Sequence, residues 1–332
     1  MVTTLEAQFR EAHIRIGIER ANAIKAHTEV RLKLETDAKL VEWGVDTILI
    51  GSYRRKTAIY PCHDVDVFVK LPRCPATLTP EEVFTEVQRV LVAAYGKDRA
   101  TEQRRSMKIT GFGGGLSVDV VPAVPDGTRW KIPQTDRSVT TRPVRKDRWE
   151  TTNPEHLTVL SEAKQASSTV IDDQPSYLRT VRLVKQIRDT HVGDSKPGGL
   201  YFELLTYWSF DEGRKVDSFA ERLALVLDGI ATHLESGVVV TEPGMNQPYD
   251  PAPDPALVAS AGSTFRQLAT DAQRALAVDD CAAAVVWRRI IGRNDKAPSG
   301  CFPIPPGCSE TGGRITPLVN KDRGVDGDRP FA

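Results

Sequence analysis

The amino-acid sequence predicts an α+β protein: a mixed, mostly antiparallel sheet backed by helices in the first half, and a helical bundle in the second. Short runs with strand alternation, bounded by Gly- and Pro-containing turns, recur between residues 47 and 133. From residue 155 to residue 291 the apolar residues recur at helical spacing instead, and strand signals are few. Because 332 residues are long for one hydrophobic core, we expect two lobes that share an interface.

Local signals predict the elements of the first half in order. The clearest helix start is Thr79-Pro80-Glu81-Glu82, which combines a capping residue with proline at the first helical position. The run Gly113-Gly114-Gly115 lies between two alternating segments and is typical of a hairpin turn. The predicted elements are helices over 5–24, 30–43 and from Pro80 onward, a basic helical segment after residue 52, and strands over 47–50, 64–71, 106–112, 116–122 and 130–133.

The second half is predicted to be helical over 155–170, 175–191, 199–210, 216–235 and 256–291. After Asn294 the chain becomes rich in Pro, Gly and charge and has no apolar period. We therefore divide the chain into three parts. Residues 1–154 carry the N-terminal helices and the catalytic core, residues 155–295 a helical domain, and residues 296–332 a flexible C-terminal tail.

The composition excludes several classes of protein. The charges balance, with 44 basic and 44 acidic residues, so a stably bound long nucleic acid is not expected and a small anionic substrate is favoured. No run of 18 apolar residues and no apolar leader occurs, so no membrane span or signal peptide is expected. The five cysteines are odd in number and form no CxxC pair, which is typical of free thiols in a reducing cytoplasm.

The residues most indicative of function lie in the segment ILIGSYRRKTAIYPCHDVDVFVKL. An apolar run ends at Gly51-Ser52, and Asp64 follows twelve positions after Ser52. On a strand, Asp64 and Asp66 point to the same face, about 6.6 Å apart. A third carboxylate, Asp119, lies within the apolar run LSVDVVPAV, where it is costly unless it binds something. Three convergent carboxylates below a glycine turn suit two Mg²⁺ ions and a triphosphate.

This order of Gly-Ser, Asp-x-Asp and a later strand Asp resembles the DNA polymerase β-like nucleotidyltransferases. Further segments, VDVVPAV, WKIP and WETTNPEHL, resemble the cGAS/DncV-like nucleotidyltransferases, the bacterial enzymes that make cyclic oligonucleotide signals in anti-phage defence. In the second half, YLRTVRLVKQIRD and KPGGLYFELLTYWSF are similar to the helical domain that these enzymes share with oligoadenylate synthases. The resemblance covers residues 30 to 290 and implies a polymerase β-like palm joined to that helical domain.

The resemblance implies a role for each matching residue. Asp64 and Asp66 would hold two Mg²⁺ ions, with Mn²⁺ as an alternative, and Asp119 would hold the ion nearest the attacking hydroxyl. Ser52 and the backbone after Gly51 would bind the terminal phosphates. The implied reaction condenses NTPs into a cyclic di- or trinucleotide and releases pyrophosphate.

Two cations of the helical half are candidates for binding the triphosphate. Arg182 and Lys185 are three residues apart in one predicted helix and can share a face. A solvated helix edge is the alternative reading for either residue.

Two other functions stay open from the sequence. One is a template-independent transferase that acts on RNA ends or on a small molecule; the balanced charge and the two-lobe length argue against it. The other is a nucleotide-binding pseudoenzyme that serves as a scaffold, which does not require a complete set of acids.

The chain ends in KDRGVDGDRPFA. A polar tail with a small last residue, Ala332, resembles the tail of defence-operon synthases that a companion E1/E2-like enzyme joins to other molecules. The resemblance therefore implies a conjugating partner for the C-terminus, with a frayed terminus as the alternative. The downstream effector would bind the product and not this protein.

Overall fold

The computed structural model describes residues 4–134, 146–193, 196–249 and 254–315. In this part of the chain a mixed sheet with its covering helices occupies the first half, and helices dominate the second. The predicted α+β class is confirmed. Two large hydrophobic cores lie side by side, one beneath the sheet and one inside the helical half.

The helices of the described part have the following bounds: α1 Thr4–Arg15, α2 Arg20–Glu35, α3 Ala38–Glu42, α4 Gly51–Arg54, α5 Pro80–Tyr95, α6 Pro154–Ser167, α7 Tyr177–His191, α8 Gly199–Ser209, α9 Phe219–Ser236, α10 Pro255–Ala275 and α11 Asp280–Ile291. The strands are β1 Asp46–Ile50, β2 Asp64–Lys70, β3 Ala100–Glu102, β4 Met107–Ile109, β5 Ser117–Asp126, β6 Arg129–Gln134, β7 Arg148–Thr152, β8 Val170–Ile171, β9 Gln174–Pro175, β10 Thr241–Glu242 and β11 Gln247–Pro248.

The main sheet has seven strands in the order β1-β2-β5-β4-β3, and β6 and β7 continue from the far end of β5. Only the central pair, β2 and β5, runs parallel, and the other pairs are antiparallel. β4 and β5 form the hairpin predicted around Gly113-Gly114-Gly115. β5 continues four residues beyond the strand predicted over 116–122, and β7 was not predicted. β7 carries few apolar residues, so alternation did not reveal it.

Helices α2 and α5 cover one face of this sheet. The wholly buried side chains of Val65, Val67 and Val69 point from β2 into this layer, and Val83 and Val87 of α5 pack on them. The predicted start of α5 is confirmed, since Thr79 and Glu82 form a reciprocal capping box with Pro80 at the first turn. The opposite face of the sheet is left to line a cleft.

Helix α1 belongs to the second core although it begins the chain. Phe9, Ala12 and Ile16 are fully buried with residues of α7, α8, α9 and α11. Glu6 also accepts a hydrogen bond of 2.7 Å from the backbone N–H of Phe219, at the start of α9. α2 instead packs in the core beneath the sheet, so the two N-terminal helices lie in different lobes.

The helical half differs from the prediction at its end. Residues 256–291 form two helices and not one, because α10 ends at Ala275. Asp279 then caps α11, where its side chain accepts hydrogen bonds from the N–H groups of Cys281 and Ala282.

Residues 296–315, expected to be a flexible tail, pack on the helical core, where Phe302 is fully buried. One aromatic residue and two cysteines among prolines, glycines and polar residues produce no periodic signal. Residues 316–332, with Ala332, lie outside the described residues.

The expectation that all cysteines are free thiols is wrong for two of them. Cys281 at the start of α11 is bonded to Cys308, with 5.3 Å between their Cα atoms. The chain turns back over α11 after residue 292, which brings together two residues 27 positions apart. Cys62, Cys74 and Cys301 are free. Among the described residues, no helix is both long and apolar enough to cross a membrane.

Candidate active site

Three carboxylates meet at the centre of the sheet. Asp64 and Asp66 lie on β2, and the parallel register of β2 and β5 places Asp119 directly opposite Asp66. Because side chains alternate along a strand, all three point to the face that α2 and α5 leave uncovered. One oxygen from each carboxylate lies within 4.8 Å of the others, an arrangement that could hold a metal ion. The structure thus brings together the three acids predicted from the sequence.

The electrostatics of these carboxylates fit a bound cation. Burial, together with the charges of Asp64 and Asp119, raises the pKa of Asp66 to about 7. Burial and the charge of Asp64 raise the pKa of Asp119 to about 6. Oδ1 of Asp119 is buried and has no hydrogen-bond partner among the described residues. Such crowding of carboxylates is unfavourable alone and is relieved by a divalent ion, whose preferred ligands are carboxylate oxygens.

Gly51 and Ser52 lie directly beside the acids. Gly51 begins α4 with φ +69°, and a Cβ built on it would stand 1.8 Å from Oδ2 of Asp66. Glycine is therefore required by the close approach as well as by the backbone conformation. The basic helix expected after Ser52 has only four residues, Gly51–Arg54. It ends where Lys56 adopts the left-handed conformation, with φ 62°.

The two predicted triphosphate ligands of α7 are not equivalent in the structure. Lys185 lines the cleft, and its Nζ donates a hydrogen bond of 3.1 Å to the carbonyl oxygen of Thr57. Arg182 does not belong to the described residues that line the cleft, and its buried Nε lacks a hydrogen-bond partner among them. Burial lowers the pKa of both side chains, and Arg20 adds to the effect at Arg182. The structure thus places Lys185, but not Arg182, beside the acids.

Asp64, Asp66, Gly51, Ser52 and Lys185 line one cleft of about 630 Å³ between the sheet and the helical half, and Asp119 lies beside Asp66 at its edge. That volume is typical of small-molecule sites. The cleft continues over an apolar floor formed by Phe68, Val121 and Ile132. Beyond the floor, Arg105 and Glu150 form an ion pair of 2.6 Å.

Sequence reasoning missed a buried group at the back of this cleft. Glu203 of α8 pairs with Arg55 through Nε and Oε1 at 2.6 Å, and Thr57 donates to its other carboxylate oxygen at 2.9 Å. One signal could have found Glu203: it is a carboxylate within the apolar run LYFELL, the same argument that singled out Asp119. Arg55 and Thr57 carry no comparable signal, since they lie in a short polar turn.

Comparison with known proteins agrees with this geometry. Residues 3–164 match the Second Messenger Oligonucleotide or Dinucleotide Synthetase domain. This match includes the whole sheet, Gly51, Ser52 and the three acids. No curated protein shows significant sequence similarity to the chain.

Solved structures resemble the protein over most of its length. A structure of CdnC from Escherichia coli MS115-1 with ATP superimposes with a TM-score of 0.65 at 16% identity, covering 90% of this chain and 98% of that one. The CD-NTase CdnG of Bradyrhizobium diazoefficiens, in complex with GTP, gives 0.67 at 15% identity, with 87% and 95% covered. E. coli DncV in its 3′-deoxy GTP-bound form gives 0.56 at 15% identity, with 89% and 86% covered.

A second structure of the E. coli MS115-1 CdnC contains a HORMA-deltaN partner and superimposes with a TM-score of 0.64 at 16% identity, covering 88% of this chain and 98% of that one. At such low identity these likenesses establish the fold, and the family model matches residues 3–164, just under half of the chain. The chain therefore carries, over residues 3–164, a Second Messenger Oligonucleotide or Dinucleotide Synthetase domain, in a fold that it shares with CdnC, CdnG and DncV.

Proposed function

We propose that this protein is a Mg²⁺-dependent enzyme that condenses NTPs into a cyclic di- or trinucleotide and releases pyrophosphate, as a signal in anti-phage defence. The observation that carries the proposal is the acid cluster of Asp64, Asp66 and Asp119, with its raised carboxyl pKa values and its unpartnered oxygen. The domain match to second messenger synthetases supports the reaction class. The ATP and GTP in the similar structures support nucleoside triphosphates as substrates.

Each group of the cleft has a role in this reaction. Asp64, Asp66 and Asp119 would hold two Mg²⁺ ions, with Mn²⁺ as an alternative, and such ions would supply neutralisation of phosphate charge and activation of the attacking hydroxyl. Ser52 donates to the terminal phosphates, and Gly51 lets the backbone approach them. Lys185 lines the helical side of the cleft, from which its positive charge would attract the same phosphates.

The complete acid cluster favours an enzyme over a nucleotide-binding scaffold. A scaffold does not need Asp119, the third carboxylate, on β5. A buried carboxylate without a partner reduces stability, so its presence is easier to explain in an enzyme that binds metal ions.

Two partner proposals extend beyond the described residues. The first, carried by resemblance alone, is conjugation of the C-terminus at Ala332 by an E1/E2-like enzyme. The second is a regulatory protein partner, which the CdnC:HORMA-deltaN complex supports by analogy. We place the enzyme in the cytoplasm, where its NTP substrates are found.

The proposal predicts that Asp119→Asn abolishes catalysis without unfolding the protein. Removing one charge from a crowded cluster relieves repulsion, so the melting temperature should stay constant or rise. Pyrophosphate release from mixed NTPs with Mg²⁺ should fall at least about a hundredfold, because the ions stabilise the transition state by several kcal/mol. Asp64→Asn should behave in the same way.

The matched control is Asp126→Asn on the same strand. Asp126 is exposed at the end of β5, lies outside the acid cluster, and accepts a hydrogen bond of 2.7 Å from the Thr151 hydroxyl, which an asparagine can still accept. Its variant should release pyrophosphate at the wild-type rate. Mass spectrometry after phosphatase treatment then identifies the product. A resistant species of two or three nucleotides supports cyclic synthesis, whereas a ladder of linear products contradicts it.

A further inference from the structure

A buried ion pair joins the two lobes at the back of the cleft. Arg55 follows α4 in the sheet lobe, and Glu203 lies on α8 in the helical lobe. Their side chains are only 5% and 4% exposed, and Arg55 Nε lies 2.6 Å from Oε1 of Glu203. Burial opposes ionisation of Glu203, but Arg55 and Lys185 outweigh it, so its pKa lies below its usual value. The pair is therefore ionised and desolvated.

Stability alone does not account for such a pair. Replacing a buried ion pair by apolar residues of similar size is often neutral or stabilising, because the desolvation cost offsets the attraction. What distinguishes Glu203 is that both its oxygens are used by one turn of the opposite lobe. Oε1 accepts from Arg55, and Oε2 accepts from the hydroxyl of Thr57 at 2.9 Å.

The turn that contains Arg55 and Thr57 is also hydrogen-bonded to Ser52. The backbone N–H groups of Thr57 and Ala58 both donate to the carbonyl oxygen of Ser52, at 2.9 and 3.1 Å. The left-handed conformation of Lys56 makes this reversal of the chain possible, at a cost of about 1 kcal/mol for a residue with a side chain. Glu203 is thus linked to Ser52 through Thr57, whose hydroxyl also lies 3.5 Å from the carbonyl oxygen of Ser52.

The same turn also holds Lys185. Its Nζ donates to the carbonyl oxygen of Thr57 at 3.1 Å. The aliphatic part of the Lys185 side chain packs closely against α8, since a Cβ built on Gly199 would stand 3.3 Å from Cε of Lys185. Thr57 is therefore in contact with Ser52, Glu203 and Lys185 at once, and it is fully buried.

We propose that Glu203 is a positioning residue that, through Arg55 and Thr57, holds Ser52 and Lys185 at a set separation across the cleft before a nucleotide binds. The inference rests on the proposed function in one respect, that Ser52 and Lys185 bind the triphosphate. Ligands held in place before binding lose less conformational entropy, so the network should contribute to triphosphate affinity as well as to the fold.

The test compares Thr57→Val with Thr57→Ser. Valine keeps the shape of threonine but removes the hydroxyl that bonds to Glu203, whereas serine keeps the hydroxyl. The ligand is Mg²⁺–tripolyphosphate, because it probes the phosphate site without a base, and its affinity is measured by calorimetry. Thr57→Val should weaken binding about tenfold, which equals about 1.4 kcal/mol, and Thr57→Ser should stay within about twofold of the wild type.

A second pair of variants separates positioning from stability. Glu203→Asp keeps the charge but shortens the side chain by one methylene, so it can no longer reach both Arg55 and Thr57. Glu6→Asp makes the same change in another buried glutamate, which caps α9 and does not line the described cleft. Both variants should lower the melting temperature, but only Glu203→Asp should weaken tripolyphosphate binding about tenfold and raise KM for NTPs.

The outcomes separate this inference from the proposed function. If Thr57→Val and Glu203→Asp lose stability but bind tripolyphosphate like the wild type, Glu203 is purely structural and the inference is wrong. A wild type that binds tripolyphosphate but releases no pyrophosphate from NTPs contradicts the proposed function, and the binding comparison still decides the inference. A wild type that releases pyrophosphate from NTPs but binds no tripolyphosphate overturns the inference and leaves the proposed function standing.

Discussion

At the scale of single residues, the close approach of Gly51 to Asp66 determines the geometry of the site. The 1.8 Å between a Cβ at Gly51 and Oδ2 of Asp66 leaves no room for any side chain. Asp66 cannot move away easily, because it is paired with β1 on one side and β5 on the other. The glycine therefore lets the Ser52 turn and the acids share one small volume.

We predict that Gly51→Ala reduces pyrophosphate release at least about a hundredfold, because the new methyl displaces either Asp66 or the turn. Gly237→Ala is the control, since Gly237 has a similar φ of +66° and nothing within 4 Å of its Cβ position. Both variants should lose about 1 kcal/mol of unfolding free energy to backbone strain. Equal activity of the two variants in the pyrophosphate assay would show that the collision at Asp66 has no consequence.

At the scale of elements, α1 is the least expected member of the helical core. It docks through Phe9, which contacts the rings of Phe219, Trp287 and Phe302, and through His13, which packs edge-on against Phe219. Both ring nitrogens of His13 are buried without a hydrogen-bond partner among the described residues. Burial, with the nearby charges of Arg182 and Arg179, holds the pKa of His13 well below 6.5.

This environment predicts that α1 docking weakens in mild acid. Below pH 6.5 His13 is protonated in the unfolded chain but stays neutral in the folded chain. The free energy of unfolding therefore falls as pH falls, by up to about 1.4 kcal/mol per pH unit. The pKa values of three carboxyl groups are raised, so these groups add stability as pH falls; they are Asp66, Asp119 and Glu6. The unfolding free energy of the wild type must therefore be compared with that of His13→Leu, which keeps all three groups.

The measurement is urea unfolding at pH 7.5, 6.5 and 5.5. The wild type should lose stability relative to His13→Leu over this range. If the unfolding free energies of the two proteins change in parallel with pH, His13 titrates equally in the folded and the unfolded chain, and the prediction is wrong.

At the scale of the whole molecule, the chain closes on itself through its C-terminal part. Phe302 inserts beside Phe9 of α1, and the Cys281–Cys308 disulfide ties the segment to α11. The backbone N–H of Cys301 also bonds to the carbonyl oxygen of Gly292 at 2.8 Å. The first and last described parts of the chain thus stabilise one core.

We predict that Cys281→Ser with Cys308→Ser lowers the unfolding free energy by about 3.5 kcal/mol, the loop-entropy value for a ring of this length. Cys74→Ser, at a half-buried free cysteine, should change it little. Alkylation of the unreduced protein in denaturant, followed by mass spectrometry, should label three cysteines and not five. Labelling of all five without reductant would contradict the disulfide.

The sequence by itself determined the acid cluster, the Gly-Ser turn, α5 and the α+β class. Each depends on residues close together in the chain, or on the alternation that orients a strand. Only the tertiary structure decided that Lys185 and not Arg182 reaches the cleft, that Cys281 meets Cys308, and that α1 joins the second core. It also revealed the pairing of Arg55 with Glu203, which are 148 positions apart. The physical reason is that such contacts form when two lobes pack together, and packing between distant segments leaves no periodic signal in the chain.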